Sequence, residues 1–276
     1  MNILYKQISV LFITTLLLIS CTEKIDIAVP NGGARLVIDA SIGWVKGTTG
    51  KNQIIKLSTS TAYFDANPNT PATGAKVKVI KENDGTEFVF LDQGNGSYIA
   101  TNFIPELNQT YVLEIVYNSK TYSATETLIP VVDITKVEQT ISMEANEENV
   151  KVTIYFNDPA NEANYYLGEF VPSFNPSLNL QPLEDRFTNG NQNFMEFEDK
   201  DLITGSTLVI SLYGVSKQYY NFINLLLRQS DSGGGSPFQT TPVQLKGNCK
   251  NLADPNEEVL GYFRLGQVVR TTYTIN

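Results

Sequence analysis

The sequence has no histidine. That absence excludes every Ser-His-Asp or Cys-His catalytic arrangement and every histidine-ligated metal site. It also removes the side chain that titrates most readily near neutral pH. Cysteine is almost as scarce, with Cys21 and Cys249 the only two in 276 residues. Basic residues are the minority, 20 against 29 acidic, for a net charge of −9. An acidic surface of that size argues against nucleic-acid binding, because phosphates are repelled. Long apolar runs are missing too. After the first 20 residues no stretch approaches the roughly 18 apolar residues that mark a membrane-spanning helix. The 42% hydrophobic content still suffices to fill real cores, and the length allows one or two domains.

What is present begins with an address. Lys6 supplies a positive start, and Ile8 to Ile19 form an apolar run broken only by Ser9, Thr14 and Thr15. At about 12 residues the run is too short to cross a bilayer and reads as the core of a signal peptide, residues 1–20. It ends in Leu18-Ile19-Ser20-Cys21, the order of a bacterial lipobox, where the signal is cut before a lipidated cysteine. Each buried CH₂ of the added palmitate-type chains contributes about 0.8 kcal/mol to membrane anchoring. Residue 22 is Thr rather than Asp, so the inner-membrane retention signal of enteric bacteria is absent. The cell outer membrane is expected, with the periplasmic and outer faces both open. With Cys21 consumed by lipid, Cys249 has no disulfide partner. A catalytic thiol would want a histidine, so Cys249 reads as a small core residue.

Residues 21–33 read as a lipidated cysteine and tether, ending in Pro30-Asn31-Gly32-Gly33. Strand signals then follow at Ala34–Trp44, Gln53–Ser60, Ala75–Lys81, Phe88–Phe90, Ser97–Ala100, Tyr111–Tyr117 and Thr121–Ala124. In the third of these, Val77, Val79 and Lys81 share one face while Lys76, Lys78 and Ile80 share the other. Asn83-Asp84-Gly85, Gly94-Asn95-Gly96 and Asn118-Ser119-Lys120 are turns. Short strands at that spacing predict an immunoglobulin-like β-sandwich over 34–130. A second β-rich domain, 131–276, opens with Ile134–Met143, Val150–Phe156 and Asn164–Phe170. Residues 172–193 hold Pro172, Pro176 and Pro182 with little periodicity and read as a long loop. Lys217–Gln229 predicts one amphipathic helix, with Ser216 as N-cap and Tyr219, Phe222, Ile223, Leu226 and Leu227 as its apolar stripe. The segment from Ser230 to Pro237, with Gly233-Gly234-Gly235, ends it. Two strands, Glu258–Leu265 and Gln267–Ile275, close the chain. The expected fold class is therefore all-β, two sandwich-like domains with one helix in the second.

An ordered set of residues runs through the whole chain after the lipobox. It comprises Arg35-Leu36-Val37-Ile38-Asp39-Ala40, Gly74-Ala75-Lys76-Val77, Gly96-Ser97-Tyr98, Thr110-Tyr111-Val112-Leu113 and Lys120-Thr121-Tyr122-Ser123-Ala124-Thr125. Lys217-Gln218-Tyr219-Tyr220, Gly247-Asn248 and Val259-Leu260-Gly261-Tyr262-Phe263 complete it. In that order the chain resembles the Bacteroidetes lipoprotein family known as domain of unknown function 4249. The resemblance implies an outer-membrane lipoprotein, often encoded beside a TonB-dependent transporter. It implies no reaction and no catalytic residues.

Glu196, Glu198, Asp199 and Asp201 form the densest acidic cluster, and paired carboxylates can bind Ca²⁺ or do acid–base work. Phe194, Met195 and Phe197 are interleaved with them, so a solvated strand face is the first reading. Tyr165-Tyr166 and Tyr219-Tyr220 could offer an exposed platform for a sugar or peptide, against ordinary core filling. Neither a catalytic residue, a metal site nor a cofactor is assigned. The expected function is a non-catalytic, lipid-anchored accessory subunit of a TonB-dependent nutrient transporter; the alternative is a surface adhesin or a glycan- or peptide-binding lipoprotein. Phe174, Leu178 and Leu180 in the 172–193 segment are the expected exposed apolar anchors.

Overall fold

The computed structural model describes residues 33–61, 70–144, 147–231 and 245–276. Cys21, the signal, the tether as far as Gly32 and the glycine run Gly233-Gly234-Gly235 lie outside the described residues. In the first half, period-two alternation builds β1 (Leu36–Val45), β2 (Gln53–Thr59), β4 (Lys76–Lys81), β5 (Glu87–Asp92), β6 (Ser97–Ala100), β7 (Thr110–Tyr117) and β8 (Lys120–Thr127), with the two-residue β3 (Thr70–Pro71) beside β2. β1, β2 and β6 make one layer, and β5, β4, β7 and β8 the other. β5 begins against β4 and finishes against β6, where Leu91 is opposite Ile99, so it stitches the layers together. Ile38, Ile55, Phe88, Phe90, Phe103 and Tyr111 fill the space between them. Each such side chain contributes about 1.5–3 kcal/mol when fully buried. The Tyr111 hydroxyl donates to the Ile104 carbonyl at 3.1 Å and accepts from the Glu106 N–H at 2.9 Å. That is the tyrosine corner of immunoglobulin-like sandwiches. Asn118 and Ser119 both take positive φ, 48° and 63°, the geometry a two-residue hairpin between β7 and β8 requires.

The second half repeats this plan. β9 (Ile134–Glu144), β10 (Glu147–Asn157) and β13 (Gln192–Asp199) form one sheet. β12 (Asn179–Glu184), β11 (Tyr165–Pro172), β14 (Thr207–Gly214) and β16 (Leu260–Thr274) form the facing layer. Leaving β3 aside, the first, second and fifth strands pair in each half, opposite the fourth, third, sixth and seventh. The protein is all-β, two immunoglobulin-like sandwiches in tandem, with one helix, α1 (Lys217–Asp231), among the described residues. α1 and the short β15 (Lys250–Asn251) stand between the sixth and seventh strands of the second sandwich.

Three expectations are corrected here. Residues 172–193 are not one long loop: Asn179–Glu184 pairs along β11, satisfying its backbone despite Pro182, which sits on the sheet's outer strand where its missing N–H costs no ladder bond. The two closing strands are one, because Gly266 continues the ladder through the point expected to break it. Thr207–Gly214, absent from the sequence reading, is a central strand of the second sandwich.

β16 joins the two halves. Leu260 to Val268 runs parallel to β1, and Val268 to Thr274 runs antiparallel to β14. Cys249, Val259, Phe263 and Leu265 thereby enter the first core, while Ile275 enters the second. The segment expected to lie wholly within a 131–276 unit is thus shared between cores. The connection near Pro130 is bonded to the same strand: the Gln267 N–H donates to the Ile129 carbonyl at 2.8 Å. Gly214 and Gly266 allow this crossing, since a Cβ at Gly214 would meet the Pro130 carbonyl and one at Gly266 the Gly214 carbonyl.

Strand directions then order the molecule along one axis. Val37, near the start of β1, is level with Leu260, and the other end of β16, at Thr274, is level with Thr207. The intervening strand spans about 46 Å at roughly 3.3 Å per residue. The amino-terminal end of the body and the far end of the second sandwich therefore lie at opposite ends of β16.

Candidate functional site

Several buried polar groups are held by the fold, while Arg264 Nε and Nη1, Asn164 Oδ1 and Asn193 Nδ2 are buried with no hydrogen-bond partner. Glu126 is 7% exposed. It accepts from the Thr127 N–H at 3.0 Å and from the hydroxyls of Ser216 at 3.0 Å and Tyr262 at 3.5 Å. Burial pushes its carboxyl above the usual range, against those hydrogen bonds. The Ser216 hydroxyl also accepts from the Tyr219 N–H at 3.2 Å, so it is the N-cap the sequence predicts. Arg264 lies beneath α1, with its guanidinium carbon 4.5 Å from the Tyr213 ring centre and 5.1 Å from that of Tyr219. The Tyr166 hydroxyl donates to Asp158 at 2.6 Å. Burial pushes the Cys249 thiol up to about 12, which fits a core residue rather than a nucleophile.

The tyrosine pairs are spent on packing. Tyr166 and Tyr219 are buried, and Tyr165 meets Tyr220 at 5.2 Å where α1 lies over β11. These four rings do not make an exposed platform. The acidic cluster follows its strand: Met195 and Phe197 point into the core, while Glu196 and Glu198 point out. Among the described residues no group of three or more Cys, Asp or Glu side chains gathers as a metal site would require.

What remains is apolar surface: exposed apolar side chains are spread over the described residues from Ile54 to Leu252, Phe187 the most exposed of them, and two places hold several together. One is a groove of about 430 Å³ on the first sandwich where β5 leaves β4 for β6. Val89 and Leu91 line it, together with Val116 and the stems of Lys76 and Lys78. The other is the distal tip of the second sandwich. There the β9–β10 hairpin, the β11–β12 turn and the β13–β14 turn come together. Ile141 (57% exposed), Met143 (64%), Phe174 (39%), Leu178 (61%) and Ile203 (67%) all lie at this end.

Hydrogen bonds tie these loops into one surface. The Ser173 N–H donates to the Thr207 carbonyl at 2.8 Å, and the Thr207 N–H donates to the Ser173 hydroxyl at 3.0 Å. The Gly205 N–H reaches the Ile275 carbonyl at 2.8 Å. The Gln139 side chain donates to the Asn276 carbonyl at 3.2 Å and accepts from its N–H at 3.0 Å. The Ser142 hydroxyl reaches Glu198 at 3.4 Å. Ile141 holds a core-facing register position opposite Val150, yet β13 ends at Asp199, level with Val150. The hairpin runs on past the end of β13 in its own sheet, and Ile141 and Met143 are exposed there.

Of the three anchors expected from the sequence, the structure places Phe174 and Leu178 on this tip. Leu180 is corrected: it lies on β12, half buried against the cluster beneath α1. Ile141, Met143 and Ile203 escaped the sequence reading. The alternation through Val137, Gln139 and Ile141 signals a strand, but nothing local says where the covering layer stops.

A family model described as domain of unknown function (DUF4249) matches residues 22–272 of the chain. No curated protein matches it. Similar solved structures include a two-domain fibronectin type-III segment from chicken tenascin, 12% identical over 66% of this chain and 91% of that one, with a TM-score of 0.24. The chicken interferon gamma receptor alpha chain is 11% identical over 66% of this chain and 89% of that one, with a TM-score of 0.21.

Proposed function

From a chain that belongs to the DUF4249 family, we propose a lipid-anchored accessory subunit of the outer membrane that binds a partner without catalysing a reaction. The partner class proposed is a TonB-dependent nutrient transporter, which the family resemblance implies. One observation carries the reading: the body is a two-sandwich rod whose amino-terminal end, which follows the lipobox cysteine Cys21 in sequence, lies opposite a tip rich in exposed apolar side chains. An anchor at one end and a sticky surface at the other suit a protein held at high local concentration beside a membrane partner. The buried carboxylate and thiol support the non-catalytic reading, since both are engaged in packing or capping and withdrawn from solvent.

The test is copurification of the full-length lipoprotein from outer membranes, beside Cys21→Ala. Wild type is expected to fractionate with the outer membrane and bring a transporter with it. Cys21→Ala is expected to keep its signal and lose both properties. A Cys21→Ala chain of mature size in the outer membrane counts against lipidation, and hydrolytic turnover by the pure wild type counts against the non-enzyme reading. Recovery of glycan in place of a transporter favours the adhesin alternative.

A further inference from the structure

We infer that the distal tip docks a protein segment whose apolar side chains are flanked by lysine or arginine. The inference rests on the reading of the chain as a binding subunit, and it names the chemistry of the partner. Ile141, Met143, Phe174, Leu178 and Ile203 supply the apolar part of the surface. Exposed apolar side chains gathered on hydrogen-bonded loops mark an interaction site more often than an idle surface. At the same end stand Glu198, on the outer face of its sheet, Asp199, level with Val150 and Ile141, and Asp201 in the turn, with Lys151 and Lys200 as the only basic residues of β10, β13 and the turn after it. Lys151 lies 3.7 Å from Glu196, but both side chains are about a third exposed or more, at 32% and 40%. An ion pair in that setting is weak and leaves the carboxylate field in place. A negative rim beside an apolar surface selects a partner with the opposite rim, and it speeds their encounter. The same rim repels anionic lipid headgroups, which favours a protein over a bilayer as the occupant.

The experiment places a photo-crosslinking amino acid at Leu178 or at Ile203 of the full-length lipoprotein in cells. Val89, in the first sandwich's groove, serves as the comparison position. Adducts are identified by mass spectrometry, and the series is repeated in Glu198→Lys/Asp201→Lys, both exposed positions where folding is checked by melting. Both tip positions are expected to capture one protein through an apolar segment bearing Lys or Arg, and Val89 is not. The double charge reversal is expected to lower the yield about tenfold, as does raised salt. Capture at Val89 alone would defeat the tip while leaving the binding-subunit reading intact. Tip adducts with lipid, with a second copy of this chain, or with an acidic segment overturn the inference, as does a yield indifferent to charge reversal. No protein adduct from any position, together with failed copurification, defeats both readings.

Discussion

Glu126 is a carboxylate placed where ionisation is unfavourable. Burial raises its pKa above the ordinary 4.5, so the folded state holds the proton more tightly than the unfolded chain. Its contribution to stability is complete below about pH 4.5 and is lost as pH rises through the folded value. Glu126→Gln keeps an acceptor for the Thr127 N–H and has no proton to lose. The variant is expected to melt about 2–4 °C above wild type at pH 8, the shift that about 1 kcal/mol produces in a chain of this size. The gap should close toward pH 4. A gap that is constant with pH, measured by thermal unfolding in a buffer series, would exclude ionisation as the cause. None of this was visible in the sequence, where Glu126 sits unremarked in a strand end. Cys249 was visible, because its lack of any histidine partner left packing as its natural role. Leu180 shows the opposite failing: among prolines and asparagines it looked like a loop residue, and only the pairing of β12 with β11 turns its side chain toward α1.

Elements with strong alternation or a capped stripe were legible to within a few residues, as β4, β7 and α1 show. Their faces were legible as well. Lys81, expected with Val77 and Val79, does point inward and reaches Asp84 at 2.7 Å and Glu106 at 2.8 Å. β14 was not legible, because TLVISLYG is a mostly apolar run without clean period, buried on both faces by the core and by α1. β16 was read as two strands because Gly266 looks like punctuation. Its small size instead serves a crossing, with the Gly214 carbonyl where a Cβ would be. Gly266→Ala is therefore expected to cost about 3 kcal/mol or more by overpacking backbone against backbone. Gly47→Ala, at φ 84° with nothing within 4 Å, should cost only the roughly 1–2 kcal/mol of a left-handed residue. Chemical denaturation of the two variants decides it. Equal losses would mean the crossing can relax.

At the scale of the whole molecule the two sandwiches share a wall. The first core includes Cys249, Val259, Phe263 and Leu265, all from beyond the second sandwich's sixth strand. A fragment of residues 33–133 lacks them, and its β1 has one unpaired edge. Followed through the fluorescence of Trp44 in urea, it is expected to show no cooperative transition, while fusing residues 245–276 to it restores one. A bare fragment with the full chain's midpoint would show that β16 adds nothing to the first core. The docking surface follows the same rule of distance: its pieces come from three separated stretches, and sequence alone marked only the one around Phe174 and Leu178 as apolar anchors. Pairing across such separations also sets a clock. Arg35 and Glu258 are 223 positions apart and ion-paired. Ribosomes deliver the amino end first, at about 5–20 residues per second, so β1 waits roughly 10–45 s for its neighbour to exist. Until then the edge that β16 will cover stays open to any passing strand. A chaperone that recognises unpaired strand edges can tell an unfinished copy from a finished one by this edge.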